Sequence, residues 1–155
     1  MDFDRTNLPA VYDAGRGYSP EALNRWRAAI SRAAGTTHPI DVAGVAERLD
    51  LHPYAPFFPK VGPMLRSTFA SLALIERFFV DAGFELAFHD VVDSEVAACW
   101  SDYAERISLR ADSILIQLDD HEFAEGLERL RAHASAHPER QPVTEPTDLL
   151  AFEAV

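Results

Sequence analysis

The chain has 155 residues, enough for one ordinary domain, and its 48% hydrophobic and 25% charged residues, with 7 Gly and 10 Pro, exclude the disordered, collagenous and membrane classes. A formal net charge of −11 argues against binding to a phosphate backbone, because such affinity comes largely from Lys and Arg displacing counterions, and Lys60 is the only lysine. The single Cys99 excludes an intramolecular disulfide and a thiolate-rich zinc site, and the opening Met1-Asp2-Phe3-Asp4 has no basic segment followed by an apolar one, so the expectation is a cytoplasmic protein that contacts neither membrane nor nucleic acid.

Ser19-Pro20-Glu21 offers a cap, a first-turn proline and an acidic residue at the positive end of the dipole, which predicts a helix to about Ala34. Its apolar stripe is Leu23, Trp26, Ile30 and Ala33, with Gly35 as the stop. Residues 36–66 contain Pro39, Pro53, Pro56, Pro59 and Pro63 and read as an irregular arm, with a short strand at Ile40–Val42 and a short helix at Val45–Leu49.

Regularity returns at Ser71, where Leu72, Ile75, Phe78, Phe79 and Ala82 form a helical stripe that Gly83 ends. Alternation of Phe84, Leu86 and Phe88 with Glu85, Ala87 and His89 predicts a strand to Val92. Asp93 and Ser94 then offer caps for a helix with Val96, Trp100, Tyr103 and Ile107 on one side. A short helix at Asp112–Leu118 follows. A longer one capped by Asp119 or Asp120 turns Phe123, Leu127 and Leu130 inward and ends at His137-Pro138. Thr147–Ala154 closes the chain as a strand.

The run Leu8-Pro9-Ala10-Val11-Tyr12-Asp13-Ala14-Gly15-Arg16-Gly17-Tyr18-Ser19-Pro20 resembles the opening of small-molecule class I S-adenosylmethionine-dependent methyltransferases. Ser71–Gly83 with Phe84 resembles the helix leading into that family's strand six, and Val143-Thr144-Glu145-Pro146-Thr147-Asp148-Leu149-Leu150 the approach to strand seven. The family's centre has no counterpart. A glycine-rich turn after strand one lets backbone approach the ligand, with an acidic residue about 20 positions on. Ile40-Asp41-Val42-Ala43-Gly44 offers one glycine, and Pro59-Lys60-Val61 offers no carboxylate. The resemblance therefore implies a methyltransferase-derived shell without its cofactor-binding core, inactive in methyl transfer and holding no cofactor.

That shell implies an α+β fold, mainly helical, with about five helices and a two-stranded antiparallel unit resembling strands six and seven. It reads as one domain, 1–155: a cover and helix over 1–35, the arm over 36–66, and helix, strand, helical insertion and strand over 67–155. A strand lacking its neighbour exposes an edge that pairs readily with another chain, which predicts a homodimer or a heteromer.

Catalytic candidates are Tyr12, Arg16, His38, His52 and His89; Asp13 accompanies the first two, and histidine titrates closest to neutrality. A tail packed on the helices is the plainer reading of the first group, and an exposed or structural role that of each histidine. His89 and Asp90 point to opposite faces of a strand and form no dyad. Substrate-binding candidates are Tyr18, Tyr54, Phe57, Phe58, Trp100 and Tyr103, from an aromatic-rich middle that otherwise builds core or interface. His121 with Glu125 and His133 with His137 are four apart but lack a third ligand, so no metal is expected. Two functions fit: binding of an apolar small molecule, with a cyclisation, dehydration or proton-transfer step in a biosynthetic pathway, or a non-catalytic subunit docked on a complete methyltransferase or another enzyme.

Overall fold

The computed structural model describes residues 20–33, 40–43, 48 and 51–155. The order of elements is α1 (Pro20–Ala33), β1 (Ile40–Ala43), α2 (Val61–Thr68), α3 (Leu72–Asp81), β2 (Phe84–Ala97), α4 (Trp100–Ser108), α5 (Asp120–Ala136) and β3 (Val143–Ala154). Short 3-10 turns at Ala55–Phe57 and Leu115–Gln117 complete it. The fold is α+β. The two long strands pair antiparallel, and β1 adds along the other side of β3, from Ile40 opposite Ala151 to Ala43 opposite Asp148. The expectation that β3 would lack a neighbour on its far side is thereby corrected along four of its residues. Among the described residues no helix is long and apolar enough to cross a membrane.

Several sequence signals act as read. Ser71 Oγ accepts from the Leu74 N–H at the start of α3, and Gly83 ends that helix region at φ 87°, a conformation suited to glycine. Asp119 and Glu122 form a reciprocal capping box on α5, and His137 closes its far end. Others are overridden. Pro63 does not prevent α2, because it falls in the first turn, where backbone N–H groups have no intrahelical acceptor. Asp93 and Ser94 cap nothing. The strand continues through them to Ala97, since each finds a partner on β3 and Ser94 is buried as the acceptor of Trp26 Nε1 at 2.7 Å. Helix α4 accordingly starts at Trp100, with Cys99 at its N-cap. Strand β3 begins four residues before the expected Thr147. Pro146 is tolerated because β1 ends opposite Asp148, so on that side Pro146 is edge strand and breaks no β1 ladder. The short helix at Asp112–Leu118 shrinks to its 3-10 turn, which Asp112 starts by accepting from Ile114 and Leu115 N–H. The expected helix at Val45–Leu49 lies outside the described residues apart from Arg48.

The register sorts the β2 and β3 side chains into two faces. One carries Phe88, Asp90, Val92 and Ser94 beside Ala151, Leu149, Thr147 and Glu145; the other carries His89, Val91 and Asp93 beside Leu150, Asp148 and Pro146. Trp26 and Ala29 of α1 pack on the first face against Phe88, Val92, Leu149 and Ala151, and Arg32 ties the helix to Asp90. Leu23 and Ile30, read as part of the buried stripe, stay exposed because the seat on the sheet is centred on Trp26 and Ala29. On the second face Phe79 of α3 stacks on Phe152 at 3.8 Å, which turns Phe78, expected inward, out to 70% exposure.

The main core lies farther along the first face. There Val143 meets Tyr54, Phe58, Val61 and Leu65 of the arm and α2, Tyr103 and Ile107 of α4, and Leu127 and Leu130 of α5. The 36–66 arm, read as irregular, thus supplies a large share of this core through its described part.

Candidate functional site

Strands β2 and β3 are long enough for α1 to cover one half of their shared face while the helical core covers the other. Under the helical core, beginning at Ser94 where the α1 indole bonds the sheet, is a cavity of about 240 Å³. Ser94, Glu145 and Thr147 form its floor; His52 and Tyr54 come from the arm, Leu65 and Phe69 from α2 and the residue after it, Tyr103, Arg106 and Ile107 from α4, and residues 111–115 from the loop beyond. The walls mix aliphatic side chains with a few convergent polar ones, the composition typical of small-molecule sites, and the volume is just below the roughly 300 Å³ at which drug-sized pockets begin.

Each polar group is held by local structure. The His52 imidazole stacks on Tyr54, with ring centroids 5.4 Å apart, and its Nδ1 lies 3.3 Å from Glu145 Oε1. That approach falls short of hydrogen-bond geometry, so Glu145 acts on the ring through its charge. Tyr54 is buried and turned edge-on to Phe58, so the main core fixes the ring that backs His52. Tyr103 is buried on α4 against the edge of Trp100, and among the described residues its hydroxyl makes no hydrogen bond. Burial, helped by the charges of Glu145, Tyr54 and Asp112 and opposed by Arg106, pushes its phenol well above the ordinary value of 10.0. Tyr103 is therefore a neutral phenol at physiological pH. Arg106 donates to the Val96 carbonyl. Arg110, in the left-handed region at φ 50°, donates to the Leu115 and Leu118 carbonyls and to Asp120, and so fixes the loop that forms one wall.

Of the sequence candidates, His52, Tyr54 and Tyr103 meet at this cavity. Tyr12, Arg16, Tyr18 and His38, with Asp13, lie outside the described residues. The cavity does not include Phe57, Phe58 or Trp100. Phe58 is core, stacked on Phe123, and Phe57 and Trp100 pack with each other and with His133, whose imidazole burial and His137 hold below its ordinary value. His89 is on the opposite face of the sheet, 2.6 Å from Asp148, while Asp90 bonds Arg32. Asp148 is buried, accepts from Arg48 Nε at 2.9 Å through the same Oδ1, and has no partner for Oδ2 among the described residues.

No match to the chain was found among protein-family models, curated proteins or solved structures. The methyltransferase resemblance rests on its sequence signatures alone. His121 and Glu125 face each other 3.8 Å apart on an exposed side of α5, and His133 and His137 stack on each other, with His137 Nδ1 2.8 Å from the His133 carbonyl; among the described residues no group of three ligating side chains converges on one point.

Sequence reasoning missed Glu145, Arg106, Asp112 and Ser94. Glu145 precedes a proline and reads as the approach to a strand; only the register, which puts it opposite Ser94, brings it to the cavity.

Proposed function

We propose that this chain binds a small, largely apolar molecule in the cavity under the helical core and acts on it by proton transfer. The observation that carries the reading is the convergence of His52, Glu145 and Tyr103 on one partly enclosed space. His52 takes and returns the proton, Glu145 supplies a negative charge beside the imidazole, and Tyr103 fixes a polar end of the ligand without ionising. A cyclisation or dehydration needs the same three roles. Descent from a methyltransferase that lost its cofactor core is part of the proposal; its support is the sequence signatures.

Native mass spectrometry of the protein from its own host tests this reading. A retained small molecule, lost on His52→Ala together with Glu145→Ala, supports it; a ligand-free chain with an accompanying enzyme subunit overturns it. Calorimetric titration with S-adenosylmethionine tests the descent argument, and micromolar binding would refute the loss of the cofactor site.

The second reading, a non-catalytic subunit or a homodimer, is favoured by α3, where Leu74, Phe78 and Val80 are all exposed. The outer edge of β2, unpaired among the described residues, is a further place for another chain. Sedimentation of a stable monomer at micromolar concentration counts against the dimer.

A further inference from the structure

The charges around the cavity indicate what it takes. Its ionisable groups among the described residues are His52, Tyr54, Tyr103, Arg106, Asp112 and Glu145. Arg106 and Asp112 cancel in the count, and Tyr103 stays neutral. With His52 neutral the site carries the charge of Glu145, and with His52 protonated it carries none. Among the described lining residues the sum is positive in neither state, and the chain has a net charge of −11, so the field disfavours an anionic ligand on approach.

Two acceptors point to the opposite sign. Glu145 meets His52 through Oε1, and its Oε2 has no partner among the described residues. The Tyr103 hydroxyl oxygen, on a side chain 2% exposed, is likewise without a hydrogen bond among those residues. That oxygen is not sealed in the core but opens to the cavity, where a bound molecule can reach it. An ammonium group has several N–H donors and can bond both oxygens.

We infer that the ligand of this cavity is a small apolar amine bound in its protonated form, its ammonium on Glu145 and Tyr103 and its hydrocarbon part against Leu65, Phe69 and Ile107. This rests on the cavity being the small-molecule site. A volume of about 240 Å³ restricts the hydrocarbon part to roughly one ring with a short chain.

The test is binding of three single-ring probes, 2-phenylethylamine, 2-phenylethanol and phenylacetate, followed by calorimetry and by protein-observed NMR on the full chain at neutral pH. The amine should bind about tenfold or more tightly than the alcohol, and phenylacetate should not bind measurably. Glu145→Gln should bring the ratio of amine to alcohol affinity close to one. Equal affinities in the native chain, tighter phenylacetate binding, or a ratio unchanged in Glu145→Gln would each overturn the amine assignment while leaving the cavity as a site. Binding of none of the three would refute the cavity reading itself.

Discussion

At Gly126, on α5, the core behind the site packs directly against helix backbone. A Cβ built there would lie 2.1 Å from Phe58 Cδ1 and 2.2 Å from Cε1, so the ring rests directly on the helix backbone. Phe58 has no room to retreat: it is 1% exposed, stacked on Phe123 at 5.9 Å between centroids and met edge-on by Tyr54 at 6.2 Å. Gly126→Ala therefore sets two effects against each other. Alanine improves helix propensity by about 1 kcal/mol, and forced overpacking in a closed core costs about 3 kcal/mol at the upper end of its usual range. The net is a loss of about 2 kcal/mol, or roughly 4–8 °C in Tm for a chain of this length. Urea denaturation followed by far-UV circular dichroism measures it. Phe58→Leu placed in the Gly126→Ala background should recover part of the loss, and a double-mutant cycle should return a coupling energy of about 1 kcal/mol. A Gly126→Ala protein more stable than the parent by about 1 kcal/mol would refute the packing argument, because propensity would then be the only effect acting.

Asp148→Ala should lower stability by about 2–3 kcal/mol in the same assay, below the value for a fully buried pair because Arg48 and His89 are 35% and 26% exposed. Tyr103 bears on the alkaline limit: the unfolded chain loses the phenol proton near 10.0 and the folded chain does not, so stability falls as pH rises above that value, and Tyr103→Phe should flatten the fall in Tm between neutral and strongly alkaline pH. The acid side has its counterpart in His133. Its folded-state value is lowered, so the unfolded chain takes up the proton first as pH falls through 6.5, stability drops there, and His133→Phe should reduce the loss seen in thermal melts between pH 7 and pH 5.

The legible parts of this sequence are those decided within one turn of chain. The Asp119–Glu122 box, the Ser71 cap and Gly83 are local devices and act as their residue types suggest. Pro63 and the pair Asp93–Ser94 misled for a related reason: their local meaning depends on position within an element whose limits are set from outside. A proline two residues farther along α2 would have broken the helix. Ser94 would have capped one had β3 not been there to extend the strand and Trp26 to use the hydroxyl. Which face of a helix is buried was also legible only in outline. In α1 the buried side is shifted from Leu23 and Ile30 to Ala29 because the helix meets a twisted sheet through one indole. In α3 a choice between adjacent Phe78 and Phe79 goes to Phe79, the one that can stack on Phe152.

The cavity is a consequence of strand length. Fourteen residues of β2 and twelve of β3 give one face more extent than the 14-residue helix α1 covers, and the remaining half is taken by a helical unit with its own core. The cavity lies where the cover of the helical unit begins, next to the Trp26–Ser94 bond. The residues of the face change character at that point: Phe88, Val92, Leu149 and Ala151 lie under α1, Val143 under the helical core, and Ser94, Glu145 and Thr147 between them. Apolar side chains at those three positions would let the helical unit close on the sheet. A glutamate beside a histidine prevents closure, because burying both would strip water from a carboxylate. The polar interruption of the sheet face thus keeps the cavity open and equips it to hold a cation.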